Sequence, residues 1–177
     1  MKTLFISGLL GLIAFTVKAQ ELSNTSDPIT GKKSKIALTM LSGQVISLEC
    51  TFVELTSDEN GSCLVYQQSV RSGINGAFNS FDIKTMSLIF KMDDGQIIKF
   101  VPNLNTSGIR NIGNTSILKL ECPITNDQLI VLAKHAISIF RLGLKEDNSG
   151  IDVYDFNDLK QLQIRKSALY ILGAVSN

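Results

Sequence analysis

Apolar residues recur along this chain with two different periods, and the change from one to the other divides it into elements. From Ile36 the texture is that of strands: "IALTML", a turn at Ser42-Gly43, then "QVISLECTFVEL". In that second run Ile46, Leu48, Cys50, Phe52 and Glu54 alternate with Val45, Ser47, Glu49, Thr51 and Val53. The first set is the more apolar and is therefore the face expected to be buried. "TSDENG" turns the chain and "SCLVYQQSV" returns it. Further on, "KTMSLIFKMDDGQIIKFVP" places Asp94-Gly95 between two apolar runs, a tight-hairpin signal because glycine readily adopts the positive φ of a type I′ turn. With that dipeptide as the loop, Asp93 faces Gln96, Met92 faces Ile97 and Phe90 faces Lys99. Both faces of this hairpin carry apolar residues, which predicts a central position in the sheet.

Two stretches lack any period. "RSGINGAFNSFD" reads as a long loop or an irregular edge, and "PNLNTSGIRNIGNTS", residues 102–116, as a disordered excursion or a functional loop. Strand character returns in "SILKLEC", "AISIFRLGL" and "IDVYDF".

Helical spacing occurs twice. In "TNDQLIVLAKHA", Thr125 and Gln128 have capping-box spacing, and Leu129, Leu132, Ala133 and Ala136 form an apolar stripe. This predicts a helix over residues 126–135, with Lys134 and His135 placed favourably at the negative end of its dipole. In "NDLKQLQIRKSALYILGAVS", Asn157 caps a second helix, and Ile164, Ala168, Ile171 and Val175 share one face, flanked by Leu169 and Leu172. Strands followed by helices specify an α+β fold: a mainly antiparallel sheet of about six to eight strands, one short helix, and a C-terminal helix packed on one face.

The first 19 residues change the picture of where the protein works. One lysine precedes an apolar run from Leu4 to Phe15, and Val17-Lys18-Ala19 follows, the pattern of a secretory signal peptide cut before Gln20. The run is shorter than the roughly 20 residues needed to cross a hydrocarbon core. The expected organisation is a leader at 1–19, a flexible lead at 20–35 and one domain at 36–177, exported to the periplasm or the exterior. Removing Lys2 and Lys18 with the leader leaves 15 basic against 16 acidic residues. A near-neutral balance without a basic stripe argues against nucleic acid or an anionic membrane as partner.

Export exposes Cys50, Cys63 and Cys122 to an oxidising compartment, and an odd count leaves at least one thiol outside any internal bridge. The chain's only histidine, His135, makes Cys63 or Cys122 with His135 the candidate nucleophile and base. Local geometry opposes Cys122: it precedes the first helix and His135 ends it, roughly 15 Å along the axis. No G-x-S-x-G elbow or phosphate-binding glycine loop occurs. For metals, one histidine and three scattered cysteines do not make a zinc site. "EDNSGIDVYDFND" lacks the order of a calcium loop, so Asp152, Asp155 and Asp158 read as surface and capping groups. No metal or cofactor is expected.

Tryptophan is absent, and Tyr66, Phe78, Phe81, Tyr154 and Tyr170 are the aromatic residues available for stacking on a ligand. The leader together with "ITNDQLIVLAKHAISIFRL" resembles small exported bacterial proteins of uncharacterised families, a resemblance that implies no activity and no site residues. The expected function is a non-catalytic binding or interaction module for a protein or cell-envelope ligand. The alternative is a small secreted hydrolase using acidic residues or the Cys/His pair.

Overall fold

A computed structural model of the chain describes residues 20–26, 32–44, 49–71, 77–145, 149–153 and 157–174. The expected leader, residues Val45 to Leu48 of the expected strand, Tyr154, Asp155 and Val175 lie outside them. The described strands form two antiparallel sheets. The larger has the order β1 (Gln20–Ser26), β2 (Lys33–Gln44), β3 (Glu49–Asp58), β4 (Gly61–Arg71), β8 (Thr115–Ile124), β7 (Gly108–Ile112). The smaller runs β10 (Gly150–Asp152), β9 (Ile137–Gly143), β5 (Ser87–Met92), β6 (Ile97–Phe100). Two helices, α1 (Asn126–Lys134) and α2 (Asp158–Ile171), complete the α+β fold predicted from the sequence.

Register explains where the core lies. Ala37 pairs with Leu55, Leu55 with Leu64 and Leu64 with Cys122; one step along, Thr39 pairs with Val53, Val53 with Tyr66 and Tyr66 with Leu120. Because side chains alternate across a strand, these rows form one face, and every residue in them is buried. The α2 helix covers that face over β1, β2 and β3, and the Thr39 hydroxyl lies 3.3 Å from the Ser167 hydroxyl. The smaller sheet is joined to the larger by rings. Tyr66 meets Phe140 at 5.6 Å, Phe140 meets Phe90 at 4.7 Å and Phe90 meets Phe100 at 5.2 Å, all edge-to-face.

Both helices begin where their caps predict. Thr125 Oγ1 accepts from the Gln128 N–H while Gln128 Oε1 accepts from the Thr125 N–H, the reciprocal pair of a capping box. Asn157 caps α2, and Ile164, Ala168 and Ile171 are its buried stripe. Among the described residues no helix is long and apolar enough to cross a membrane.

Five local expectations are revised. The polar stretch expected to be a flexible lead contains β1, paired with β2 along all seven of its residues. It is an edge strand, and a half-exposed edge does not need apolar alternation. Strand β2 passes through Ser42-Gly43 to Gln44 instead of turning there, with a bulge after Met40. In β3 the buried face is Thr51, Val53 and Leu55, while Cys50, Phe52 and Glu54 are only half-buried on the outer face. The sequence comparison was weighted by Ile46 and Leu48, which precede the strand. Within the expected loop 102–116 lies β7, hydrogen-bonded to β8.

The fifth revision is the β5–β6 hairpin. Its register pairs Phe90 with Ile98 and Lys91 with Ile97, one residue away from the two-residue-loop pairing. The Gly95 N–H donates to Met92 O at 3.1 Å and the Met92 N–H to Gln96 O at 2.8 Å. Gly95 has φ +88°. This is a three-residue loop, Asp93-Asp94-Gly95, with glycine supplying the left-handed position. Both aspartates therefore stand in the turn. The hairpin's first strand, β5, does lie inside its sheet, whereas β6 is at an edge.

Candidate functional site

The two sheets do not close completely where β3 and β4 face β9 and β10. A cavity of about 340 Å³ remains there, walled by Leu41, Tyr66, Phe78, Phe81, Leu142 and Ile151. Its size and largely apolar wall are those of a small-molecule site. Phe78 is buried against the half-buried Phe81, with ring centroids 5.5 Å apart, and the Ala77 N–H donates to the Ser116 hydroxyl at 2.9 Å. These contacts fix the C-terminal end of the stretch expected to be a long loop or an irregular edge. Three of the five aromatic residues available for stacking, Tyr66, Phe78 and Phe81, thus meet in one place. Tyr170 does not join them: it is buried in α2, and its hydroxyl has no partner among the described residues.

Polar groups enter this cavity from the larger sheet. Thr51 and Gln68 are cross-strand partners on the core face, beside Tyr66. The Tyr66 hydroxyl donates to Gln68 Oε1 at 3.1 Å, and burial pushes the Tyr66 phenol well up, so it stays protonated and a donor. Among the described residues, Gln68 Nε2 and the Thr51 hydroxyl have no protein hydrogen-bond partner, although Thr51 is 7% exposed. The cavity therefore offers donors on an otherwise apolar wall.

Arg141 and Asp152 are cross-strand partners one step from the cavity-lining pair Leu142 and Ile151, and so lie on the opposite face of the smaller sheet. Arg141 Nε and Nη2 donate to the two carboxylate oxygens of Asp152, at 2.5 and 3.2 Å. The guanidinium holds the Asp152 carboxyl below its ordinary range, against the opposing effect of burial.

The cysteines and the histidine lie elsewhere. Cys122 is on the core face of β8 and Cys63 on the outer face of β4, with the Cys63 thiol donating to Cys122 O at 3.2 Å. Burial pushes the Cys63 thiol up to about 11, helped by the negative charge of Glu121, and the Cys122 thiol up to about 12. Neither is poised as a thiolate. All three cysteines are free, and Cys63 and Cys122, though on adjacent strands, point to opposite faces, which no disulfide can bridge. Cys50 and Cys122, alike in local sequence, are separated by β4. His135 is the C-cap of α1 and its Nδ1 lies 3.2 Å from Asp93 Oδ1, in the β5–β6 turn.

Sequence reasoning passed over Thr51 and Gln68. The available signal was a polar residue inside an apolar row: Leu64, Tyr66, Gln68 and Val70 share one side of β4, and only Gln68 breaks that row. A comparison of the chain with protein-family models, curated protein sequences and solved structures finds no match.

Proposed function

We propose that this chain is an exported, non-catalytic binding module that holds one small, neutral, amphipathic molecule between its two sheets. The observation that carries this reading is the cavity in which Tyr66, Phe78 and Phe81 meet the unpaired donors of Thr51 and Gln68. An apolar or aromatic body would fill the space, and a carbonyl or hydroxyl oxygen would take the Gln68 and Thr51 donors. A formally charged ligand is disfavoured because the one charged residue lining the cavity, Asp152, is already paired with Arg141. Export to the periplasm or exterior rests on the leader pattern at residues 1–19. The raised thiols and the separation of Cys63 and Cys122 from His135 favour binding over a Cys/His hydrolase.

The test is fluorescence titration with N-phenyl-1-naphthylamine, a neutral apolar probe. Saturable binding at one site is expected. Thr51→Phe, which fills the cavity from a strand position that tolerates an aromatic ring, should weaken it roughly tenfold or more with an unchanged melting temperature. Met40→Gln, on the opposite face of the same sheet, should leave it unaltered. Failure of the probe to bind, or equal binding by the Thr51→Phe variant, would remove the proposal.

A further inference from the structure

The three-residue β5–β6 loop puts both of its aspartates beside the C-cap of α1. His135 Nδ1 is 3.2 Å from Asp93 Oδ1 and 3.5 Å from Asp94 Oδ2, and one ligand atom from each residue lies within 4.8 Å of the others. We propose that Asp93, Asp94 and His135 form a site for one divalent transition-metal ion of the zinc class.

The spacing is the first argument. An ion bonded to two donors at about 2.1 Å with a tetrahedral angle holds them roughly 3.4 Å apart. The two imidazole–carboxylate separations bracket that value. Little movement is needed beyond loss of the Nδ1 proton, which metal binding requires in any case.

The second argument is that both elements are fastened to each other independently of any ion. The Asp93 N–H donates to Ala136 O at 2.8 Å, tying the β5–β6 turn to the residue that follows His135. The Gln96 N–H holds Asp94 Oδ1 at 2.9 Å, leaving Oδ2 turned toward the imidazole. Such outer bonds orient a metal's ligands. The donor set gives the third argument. One imidazole with two carboxylates suits zinc and its neighbours better than calcium or magnesium, which take all-oxygen shells. With side-chain exposures of 55%, 39% and 36% for Asp93, Asp94 and His135, water completes the coordination.

His135 is the chain's only histidine, so its imidazole proton resonance reports on this place and no other. Titration of the purified protein with zinc chloride, followed by proton NMR, should shift that resonance saturably at one equivalent and raise the melting temperature by linkage. Asp93→Asn with Asp94→Asn should weaken the response roughly tenfold or more while the remaining spectrum keeps its dispersion. The proposal fails if the resonance does not respond up to about 1 mM zinc. It also fails if the double variant responds as the unaltered protein does, since a lone imidazole would then explain the binding.

Discussion

Cys63 and Cys122 show how a residue's chemistry is set by the strand it sits on. Adjacent in the sheet but on opposite faces, they share no bond except the thiol-to-carbonyl contact, and burial is the largest cause of the raised thiol pKa in each. The sign of the effect on stability follows. Both thiols are protonated in the folded and unfolded chain below the ordinary value of 9.0, so they contribute no pH dependence there. Between 9.0 and about 11 the unfolded chain ionises first, and stability falls as pH rises. Denaturant titrations at pH 8 and pH 10 should show this loss, and a double Cys63→Ser, Cys122→Ala variant should lose less between the two. At pH 8 a thiol reagent should label these residues far more slowly in the native than in the denatured protein, and equal rates would contradict the assignment. The sequence showed which residues were chemically able, but not their neighbours. His135 and Asp93 are 42 positions apart, and no local pattern announces a contact of that separation.

Elements with strong local codes were legible, and elements defined by pairing alone were not. Helix α1 starts at its capping box because both partners lie within four residues of one another. Edge strands β1 and β7 are mostly polar and half-exposed or exposed, so they look like loops until a neighbour pairs with them. The hairpin register escaped because Asp94-Gly95 serves both a two-residue and a three-residue loop, and a shift of one decides where Asp93 stands. Strand β10 carries a sharper requirement. Gly150 pairs with Gly143, and a Cβ at Gly150 would lie 2.0 Å from Leu142 O and 2.8 Å from Gly143 Cα. Gly150→Ala should therefore force β10 off β9, destabilising the protein by about 1–3 kcal/mol. Because Ile151 and Val153 line the inter-sheet cavity, the same change should weaken naphthylamine binding. Unchanged stability together with unchanged probe affinity would show that β10 does not wall the site.

At the scale of the molecule, and among the described residues, one face of the larger sheet carries the packing: α2 lies over β1 to β3, and the ring series from Tyr66 through Phe140 anchors the smaller sheet. Phe140 is 1% exposed and touches both Tyr66 and Phe90, so it joins the two layers. Phe140→Ala should cost about 3–5 kcal/mol, measured by urea denaturation, and a loss below about 1 kcal/mol would mean the sheets are held chiefly elsewhere. The split into two sheets was invisible in the strand pattern, which supports one sheet or two equally well. The N-terminal strand and C-terminal helix also meet directly, since Gln20 Nε2 donates to Gln163 O at 2.7 Å and to the Ser167 hydroxyl at 3.0 Å. Gln20 is the residue that leader removal would turn into the amino terminus. A peptidase needs the bond before it extended and accessible, so in an exported chain cleavage has to precede the docking of β1 against α2. In such a chain the docking of α2 would act as a clock, ending the interval in which the residues before Gln20 could still be trimmed.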